Sequence, residues 1–282
     1  MNFDLERRRA EFSVGEFSDF SIGPRSSLGS TGGLWRAQIG SRWHREIREQ
    51  AEAEGANAAY EVPVSGELAR KGWRIALAGR IDQVVQAAAG AVLREIKTVT
   101  RPLPADEAEL RRDYPEYFVQ LAAYLALRGR RERGELVFVE ADTGLAQTVP
   151  LPAGDERLLD QQLDRVAEFL DLRLRARDRL RAMRYRPAFA TRRPGQETAS
   201  GELRDAVREG QAAVLLEAPT GFGKTGILLE CALSELQEGR FDRLLYLTGK
   251  STGQIEVVET LRGMTEPGPG LGAGPAVAAW HV

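Results

Sequence analysis

The sequence predicts an α/β protein made of two parts: a mostly antiparallel sheet flanked by helices and, after it, a parallel sheet. Short apolar runs broken by glycine follow one another over residues 60–98, as is typical of neighbouring strands of one sheet. Helical periodicity flanks these runs, over residues 34–54 and 115–127. From residue 197 onwards, predicted helices alternate with predicted strands, which favours a parallel sheet.

The first part consists of a helix, a group of strands and a second helix. The amphipathic helix over residues 34–54 carries large apolar residues at four-residue spacing: Trp35, Ile39, Trp43 and Ile47. Strands are predicted at 60–64, 73–78, 80–86 and 91–98, with a further pair at 136–140 and 147–151 around a turn at 142–144. Pro115 suits the first turn of a helix that ends near Leu127.

The second part begins after a long helix and is marked by a change of pattern. Apolar residues recur every three or four positions over 155–183, and Pro187 ends this helical pattern. Helices at 197–209, 224–236 and 253–262 then alternate with strands at 213–217 and 243–248. We therefore predict a first domain at 1–154, a linking helix at 155–190, a second domain at 191–264, and a disordered tail at 265–282, which is dominated by Gly, Pro and Ala.

The composition excludes several classes of protein. The single cysteine, Cys231, rules out an internal disulfide and cannot by itself hold a zinc ion or an iron–sulfur cluster, so oxygen and imidazole would bind any metal. No stretch reaches the roughly 20 apolar residues of a membrane span, and the charged N-terminus has no signal-peptide core. We therefore predict a cytoplasmic protein without a membrane partner.

Charge is distributed unevenly along the chain. The formal net charge of -2 is low for a nucleic-acid binder. Nine arginines nonetheless lie between Arg173 and Arg193, against one acidic residue, Asp178. They form either the solvated face of a helix or a surface that binds phosphate.

Two carboxylates and a lysine form the first candidate site. Glu95 and Lys97 lie two apart on one predicted strand and so share a face, and Asp82 comes alongside them if the two strands form a hairpin. Carboxylate oxygens suit Mg²⁺ or Mn²⁺, which would hold a scissile phosphate and activate water, while Lys97 would orient that water or neutralise charge on the phosphate. For these three residues alone, the simpler interpretation is a cross-strand ion pair, worth under about 1 kcal/mol if exposed.

Further residues in a fixed order give this triplet a context. The segments Gly40-x-x-x-His44, Gly79-x-x-Asp82, Glu95-x-Lys97-Thr98 and Gln120-x-x-x-Tyr124 together resemble the RecB-like branch of the PD-(D/E)XK nucleases, over residues 40–127. The resemblance implies a restriction-endonuclease-like α/β core, which is a mixed sheet flanked by helices. It also implies that His44, Asp82 and Glu95 bind the metal, that Lys97 is catalytic, and that Gln120 and Tyr124 face the site. A histidine by itself is more often structural, and the four cysteines that hold an iron–sulfur cluster in several relatives are missing from this sequence.

A glycine-rich turn forms the second candidate site. The segment Ala218-Pro-Thr-Gly221-Phe-Gly223-Lys224-Thr225 follows a predicted strand and opens a predicted helix, which is the context that a P-loop requires. Backbone N–H groups of such a turn bind nucleotide phosphates, Lys224 reaches the terminal ones, and Thr225 holds Mg²⁺. The alternative is a glycine-rich turn with an incidental Gly-Lys-Thr.

The surroundings of this turn resemble the XPD/DinG group of superfamily 2 helicases. The resemblance rests on the P-loop, on Arg193-Pro-Gly-Gln196, which in that group reads adenine, and on residues 246–254, which in that group touch the DNA backbone. It implies a partial RecA-like parallel α/β P-loop domain that binds ATP through Gln196, Gly221, Gly223, Lys224 and Thr225. It fades after Met264, without the Asp-Glu-x-His motif and the second lobe. We therefore expect weak nucleotide binding, no DNA unwinding, and either a fragment of a longer protein or the product of a broken gene.

These patterns together predict a metal-dependent DNA nuclease joined to a truncated helicase domain, acting in DNA repair or processing. The predicted ligands are DNA, Mg²⁺ or Mn²⁺, and ATP, and no iron–sulfur cluster is expected. In the alternative function, the first domain is a non-catalytic module that binds DNA and positions the helicase motor. A third possibility, a nucleotide-binding regulator, depends on the P-loop alone.

Overall fold

The computed structural model describes residues 1–22, 43, 46, 49, 57–87, 90–129, 132–151, 156–249 and 251–266. Trp43, Glu46 and Glu49 are helical, in agreement with the helix predicted over residues 34–54. The other residues of that helix and nearly all of the predicted tail lie outside the described residues. The chain divides into two compact units, Met1–Asp171 and Leu172–Val282.

One sheet of seven strands organises the described part of the first unit. Its strands are β1 (Asn2–Asp4), β2 (Arg9–Ser13), β3 (Ala58–Arg70), β4 (Trp73–Ala87), β5 (Gly90–Val99), β6 (Arg133–Glu140) and β7 (Ala146–Leu151). The helices described in this unit are α1 (Val14–Ser18), α2 (Glu107–Asp113), α3 (Pro115–Leu127) and the N-terminal part of α4 (Glu156–Arg181).

The sheet is mixed, and its long strand β4 changes partner along one edge. The strand order is β1-β2-β4-β5-β6-β7, and β3 pairs antiparallel with the other edge of β4. β2 runs parallel to the first half of β4 until Ser13 pairs with Ala78, whereas the antiparallel pairing with β5 begins only where Gln83 pairs with Arg94. Residues 79–82 of β4 therefore lie where the sheet splits between β2 and β5.

A helix cap at Ser13 ends β2 and so opens this split. The Ser13 hydroxyl accepts a hydrogen bond from the Glu16 N–H, and the Glu16 carboxylate accepts one from the Ser13 N–H at 2.9 Å. This reciprocal pair is a capping box, which satisfies backbone donors at the start of a helix. The chain therefore leaves the edge of β4 directly after the pair of Ser13 with Ala78 and continues as α1.

Helix α3 covers β5 and β6 on the side of the candidate site. The ring of Phe118 lies 6.1 Å from the ring of Phe138. Gly134 on β6 allows α3 to approach closely, because a Cβ at this position would lie only 2.9 Å from a methyl carbon of Leu125. The helix predicted at 115–127 is thus confirmed, and its buried face holds the site residues against the sheet.

Polar contacts attach the N-terminal part of α4 to the rest of the first unit. The Arg70 guanidinium donates to Asp164 at 2.8 Å, and the indole N–H of Trp73 donates to Asp171 at 2.9 Å. The buried Gln162 amide donates to the carbonyl of Phe17 at 2.6 Å. The helix predicted over 155–183 is therefore present, and its residues up to Asp171 pack within the first unit.

Most of the predicted strands of the first unit are confirmed. The two strands predicted at 73–78 and 80–86 are one continuous strand, β4, which passes through Gly79. Strands β1 and β2 and the short helix α1 were not predicted, because each is too short for its pattern to stand out in a charged N-terminal segment.

The described part of the second unit is helical. It contains the end of α4, followed by α5 (Gln196–Arg208), α6 (Lys224–Gln237) and α7 (Ser251–Thr265), which confirms the three predicted helices. Apolar side chains of α6 and α7 pack into a common cluster with Met183: Leu229, Leu233, Val257, Leu261 and Met264. No helix in the described part of the chain is long and apolar enough to cross a membrane.

The two strands predicted for the second unit are wrong. Residues 213–217 and 243–248 belong to neither a helix nor a strand, so the described residues of 191–264 do not contain the predicted RecA-like parallel sheet. The physical reason is that a strand exists only as part of a ladder, which needs a neighbour to satisfy its N–H and C=O groups. Leu215, Leu245 and Leu247 are 94%, 80% and 81% exposed, although their sequence is that of a buried strand.

Candidate active site

The predicted triplet meets at the split in the sheet. β4 and β5 form an antiparallel hairpin, as predicted, and the pairing of Gln83 with Arg94 sets Asp82 opposite Glu95. Residues opposite each other in an antiparallel pair share a face, so the two carboxylates lie on one side of the sheet. The Asp82 carboxylate also accepts a hydrogen bond from the Ile96 N–H at 2.7 Å, which fixes Asp82 against β5.

Glu95 is the centre of the hydrogen-bond network. Its Oε1 accepts from the ammonium of Lys97 at 2.8 Å and from the side-chain amide of Gln120 at 2.6 Å. The Gln120 amide also lies 3.4 Å from the hydroxyl oxygen of Tyr124. The structure therefore brings together five of the six predicted nuclease residues, while His44 lies outside the described residues.

Burial perturbs the acidity of this cluster. Glu95 is 2% exposed, and burial raises the pKa of its carboxyl group to about 7, with a further increase from the charge of Asp82, against the opposing effect of Lys97. Burial, followed by the charge of Glu95, also raises the pKa of the Tyr124 hydroxyl to about 12. Tyr124 is therefore a neutral hydrogen-bonding group at neutral pH.

Gly79, the glycine of the Gly-x-x-Asp motif, is required by the position of Tyr124. A Cβ at residue 79 would lie 2.9 Å from both Cε1 and Oη of Tyr124, and 3.1 Å from a methyl carbon of Val14. Any side chain at this position would push the tyrosine ring out of its place. The motif therefore combines a predicted metal ligand, Asp82, with the space that Tyr124, on another element, needs.

Two residues near Lys97 were missed by the sequence analysis. The ammonium of Lys97 lies 5.2 Å from the ring centre of Tyr117, a distance at which cation–π attraction operates. The pKa of the half-buried Glu116 carboxyl is raised, mainly by burial and also by the charge of Asp19, while Lys97 opposes the shift. Glu116 could have been found, because Glu116, Gln120 and Tyr124 are spaced by four on one face of α3. Tyr117 carried no such signal.

The donor set fits a hard divalent cation. Glu95 Oε2 is buried and has no hydrogen-bond partner within the described residues, so one carboxylate oxygen remains available beside Asp82. Mg²⁺ and Mn²⁺ favour such oxygen ligands. Among the described residues, no group of three Asp, Glu, His or Cys side chains is close enough to hold a metal ion together.

In the second unit, the predicted phosphate-binding turn has the backbone of a tight glycine turn. Gly221 and Gly223 have φ angles of 76° and 91°, which only glycine adopts without strain. α6 begins at Lys224, directly after Gly223, so the turn leads into a helix N-terminus. The Lys224 ammonium donates to the carbonyls of Ala218 and Pro219, at 2.6 and 3.1 Å, and thus spans the loop.

Residues at the start of α5 and just before it hold this turn in place. The buried side chain of Gln196 donates to the carbonyl of Phe222 at 2.5 Å, and Arg193 donates to the carbonyl of Gly221 at 2.5 Å. The ring of Phe189 packs where a Cβ of Gly223 would be, at 2.5 Å. A cavity of about 320 Å³ beside the turn is lined in part by Phe189, Gly223 and Thr225. The five residues predicted to bind nucleotide thus lie in or beside one loop.

Comparison with known families identifies the first unit. A model of the PD-(D/E)XK nuclease superfamily matches residues 15–199. The chain belongs to this superfamily. A comparison with curated proteins finds no match.

Two solved structures are similar in part. SSO0001 is 19% identical, with 57% of this chain and 76% of that chain covered and a TM-score of 0.37. A protein named as a putative exonuclease from Eubacterium rectale is 12% identical, with 77% of this chain and 94% of that chain covered and a TM-score of 0.38. At these values neither structure bears on the chemistry of the site.

The PD-(D/E)XK match covers all the predicted nuclease residues, the whole of α4 and the first four residues of α5. It therefore extends beyond residues 40–127, over which the motifs resemble the RecB-like branch. The glycine-rich turn at 218–225 lies outside the match. Membership of the superfamily thus concerns the first candidate site and carries no information about the second.

Proposed function

We propose that this chain is a metal-dependent nuclease of the RecB-like branch that hydrolyses phosphodiester bonds in DNA. The observation that carries the proposal is the state of Glu95, a buried carboxylate with one oxygen bound to Lys97 and Gln120 and the other without a hydrogen-bond partner among the residues that the structure describes. Burying an ionisable group in this way is costly unless a cation compensates it. Asp82, on the same face, provides a second carboxylate.

Asp82 and Glu95 would hold Mg²⁺ or Mn²⁺, with His44 as a further ligand by resemblance. When bound, such an ion supplies Lewis-acid chemistry at a phosphate oxygen and helps to generate a nucleophile from water. Gln120 donates to Oε1 of Glu95 and so fixes the carboxylate, which leaves Oε2 for the metal. Tyr124 in turn contacts the amide of Gln120. Lys97 keeps a positive charge beside the carboxylates and can neutralise charge that builds up on the phosphate.

Metal-dependent cleavage by Asp82 variants tests this proposal. Wild-type protein should cleave DNA in Mg²⁺ or Mn²⁺ and should be inactive in EDTA. Asp82→Ala should abolish cleavage, because a metal ligand is lost. The matched control is Asp106→Ala, which removes the carboxylate that caps the N-terminus of α2 and should leave cleavage intact. Equal cleavage in EDTA would refute the metal mechanism. DNA binding without cleavage under any metal condition would favour the alternative, a non-catalytic DNA-binding module.

We propose in addition that the second unit binds a nucleotide such as ATP, as the amino-terminal portion of an XPD/DinG-like helicase domain. What supports this is the loop between Ala218 and Thr225, in which two left-handed glycines precede a helix N-terminus and a lysine crosses the loop. Lys224 would move from the carbonyls of Ala218 and Pro219 to the phosphates, and Gln196 would hold the loop. Binding of a fluorescent ATP analogue to wild type and to Lys224→Ala tests this. No binding by the wild type would exclude it.

A further inference from the structure

The spacing of Gly79 and Asp82 does not fit a regular strand. Residues three apart on a strand point to opposite faces. Gly79 nevertheless faces Tyr124 of α3, since a Cβ there would touch the ring. Asp82 lies opposite Glu95, which is hydrogen-bonded to Gln120 of the same helix, and the charge of Asp82 contributes to the raised pKa of Tyr124. β4 must therefore change face between Gly79 and Asp82.

The partner strand has an irregular residue at the same level. β3 pairs with β4 through Tyr60 and Gln83 and through Val62 and Ile81, but Glu61, which lies between these pairs and opposite Asp82, is not itself paired. Glu61 has a φ of 49°, in the left-handed region. The other non-glycine residues with positive φ in the described part of the chain, Arg8 and Lys71, lie in turns between strands.

A left-handed glutamate inside a strand is unfavourable, so the surroundings must enforce it. Non-glycine residues in this conformation are strained, and such strain is concentrated at functional sites. Glu61 is exposed, and no three carboxylate or imidazole groups of the described residues come close enough to share a metal ion. Its backbone, and not its carboxylate, is therefore the feature that relates it to the site.

We propose that Glu61 is a positioning residue, whose left-handed backbone lets the β3–β4 pair change face so that Asp82 points toward Glu95 and α3. A regular residue at this position would restore the ladder and turn Asp82 toward the opposite face. The proposal rests on the metal site proposed above, because it assigns Glu61 an effect on that site through Asp82.

Three substitutions of Glu61 distinguish the effect of its backbone conformation from the effect of its carboxylate. Glu61→Gln removes the charge and keeps the backbone preference, and Glu61→Gly removes the side chain while accepting a positive φ without strain. Glu61→Val opposes a positive φ, because β-branched residues are rarely left-handed. The matched control is Glu67→Val, an exposed glutamate of the same strand that pairs regularly with Ala76.

The measurements are the dissociation constant of Mn²⁺ by calorimetry, the rise in unfolding temperature that Mn²⁺ causes, and DNA cleavage. Glu61→Gln, Glu61→Gly and Glu67→Val should bind Mn²⁺ within about twofold of wild type, whereas Glu61→Val should bind it at least about tenfold more weakly and lose cleavage in proportion. If Glu61→Val is unfolded, Glu61→Ala takes its place, because alanine also disfavours a positive φ and should weaken Mn²⁺ binding in the same direction.

Several outcomes would overturn the proposal. Weak Mn²⁺ binding by both Glu61→Gln and Glu61→Gly would mean that the carboxylate itself serves the site. Normal binding by a folded Glu61→Val would mean that Asp82 is positioned without the left-handed residue. Both results leave the nuclease function intact, whereas a wild-type protein that neither binds Mn²⁺ nor cleaves DNA would remove the proposed function and this inference together.

Discussion

Gly79→Ala tests the relation between the Gly-x-x-Asp motif and α3. The added methyl carbon would lie 2.9 Å from Cε1 and Oη of Tyr124 and 3.1 Å from Cγ2 of Val14. Ordinary carbon contacts begin at about 3.5 Å, so the overlap is roughly half an ångström on two sides. Val14 is completely buried and Tyr124 is 3% exposed, so neither side chain can move freely. Overpacking of this kind costs about 1–3 kcal/mol of unfolding free energy.

The effect on cleavage should follow from the displaced tyrosine. The hydrogen bond between Gln120 and Tyr124 joins two neutral groups and is therefore worth about 0.5–1.5 kcal/mol. Its loss corresponds to a fall of roughly two- to tenfold in the rate of cleavage, if Gln120 then holds Glu95 less firmly.

Denaturant unfolding and initial cleavage rates measure both effects. Gly15→Ala is the matched control, because a Cβ at Gly15 of α1 would meet nothing within 4 Å. Gly79→Ala should also cost less in a Tyr124→Ala background, with a coupling of about 0.5–3 kcal/mol, since the obstacle is then gone. Wild-type stability and cleavage in Gly79→Ala would refute the steric argument, and additive effects in the double variant would exclude Tyr124 as the obstacle.

Three further predictions concern charge. In EDTA, metal-free wild type should gain unfolding free energy relative to Glu95→Gln as the pH falls from 8 to 5. The reason is that the pKa of Glu95 in the folded protein, about 7, lies above its ordinary value of 4.5, so the folded state takes up a proton before the unfolded state does. A difference in unfolding free energy that does not change with pH would contradict this. Replacing the exposed Arg175, Arg179 and Arg184 by glutamine should make DNA binding less dependent on salt. The slope of log K against log salt concentration should become less negative by up to about 0.7 per replaced arginine on single-stranded DNA, and an unchanged slope would identify these arginines as a solvated face. Lys224→Ala should weaken nucleotide binding by about 1.5–3 kcal/mol while cleavage continues, and a folded variant that no longer cleaves would show that the two sites are coupled.

The sequence was most informative about the hairpin of β4 and β5. Glu95 and Lys97 lie two apart, so strand geometry alone places them on one face, and the hairpin then brings Asp82 to them. The four-residue spacing of Gln120 and Tyr124 likewise follows from helix geometry. These relations are local or cross a single turn, which is why they could be predicted before the structure.

The sequence was misleading where a strand depends on distant partners. Residues 213–217 and 243–248 have the apolar composition of buried strands, but composition cannot provide the neighbouring strand that completes a ladder. The glycine-rich turn at 218–225 was nevertheless predictable, because glycines with positive φ and the start of a helix depend only on residues that are neighbours in sequence. The split in the sheet was not predictable either, since it depends on β2 ending at Ser13, in a segment whose strands were not recognised.

The three-residue spacing of the Gly-x-x-Asp motif indicates that β4 is irregular between Gly79 and Asp82. A pair two apart, such as Glu95 and Lys97, needs only a regular strand, whereas a pair three apart on one face requires the strand to be irregular between them. The irregular residue in this chain is not within the motif. Glu61 lies on β3, across the ladder from Asp82, and its left-handed φ is visible only in the structure. A motif confined to β4 therefore depends on a residue of another strand, so substitutions at Glu61 should affect the site according to the backbone conformation that they permit.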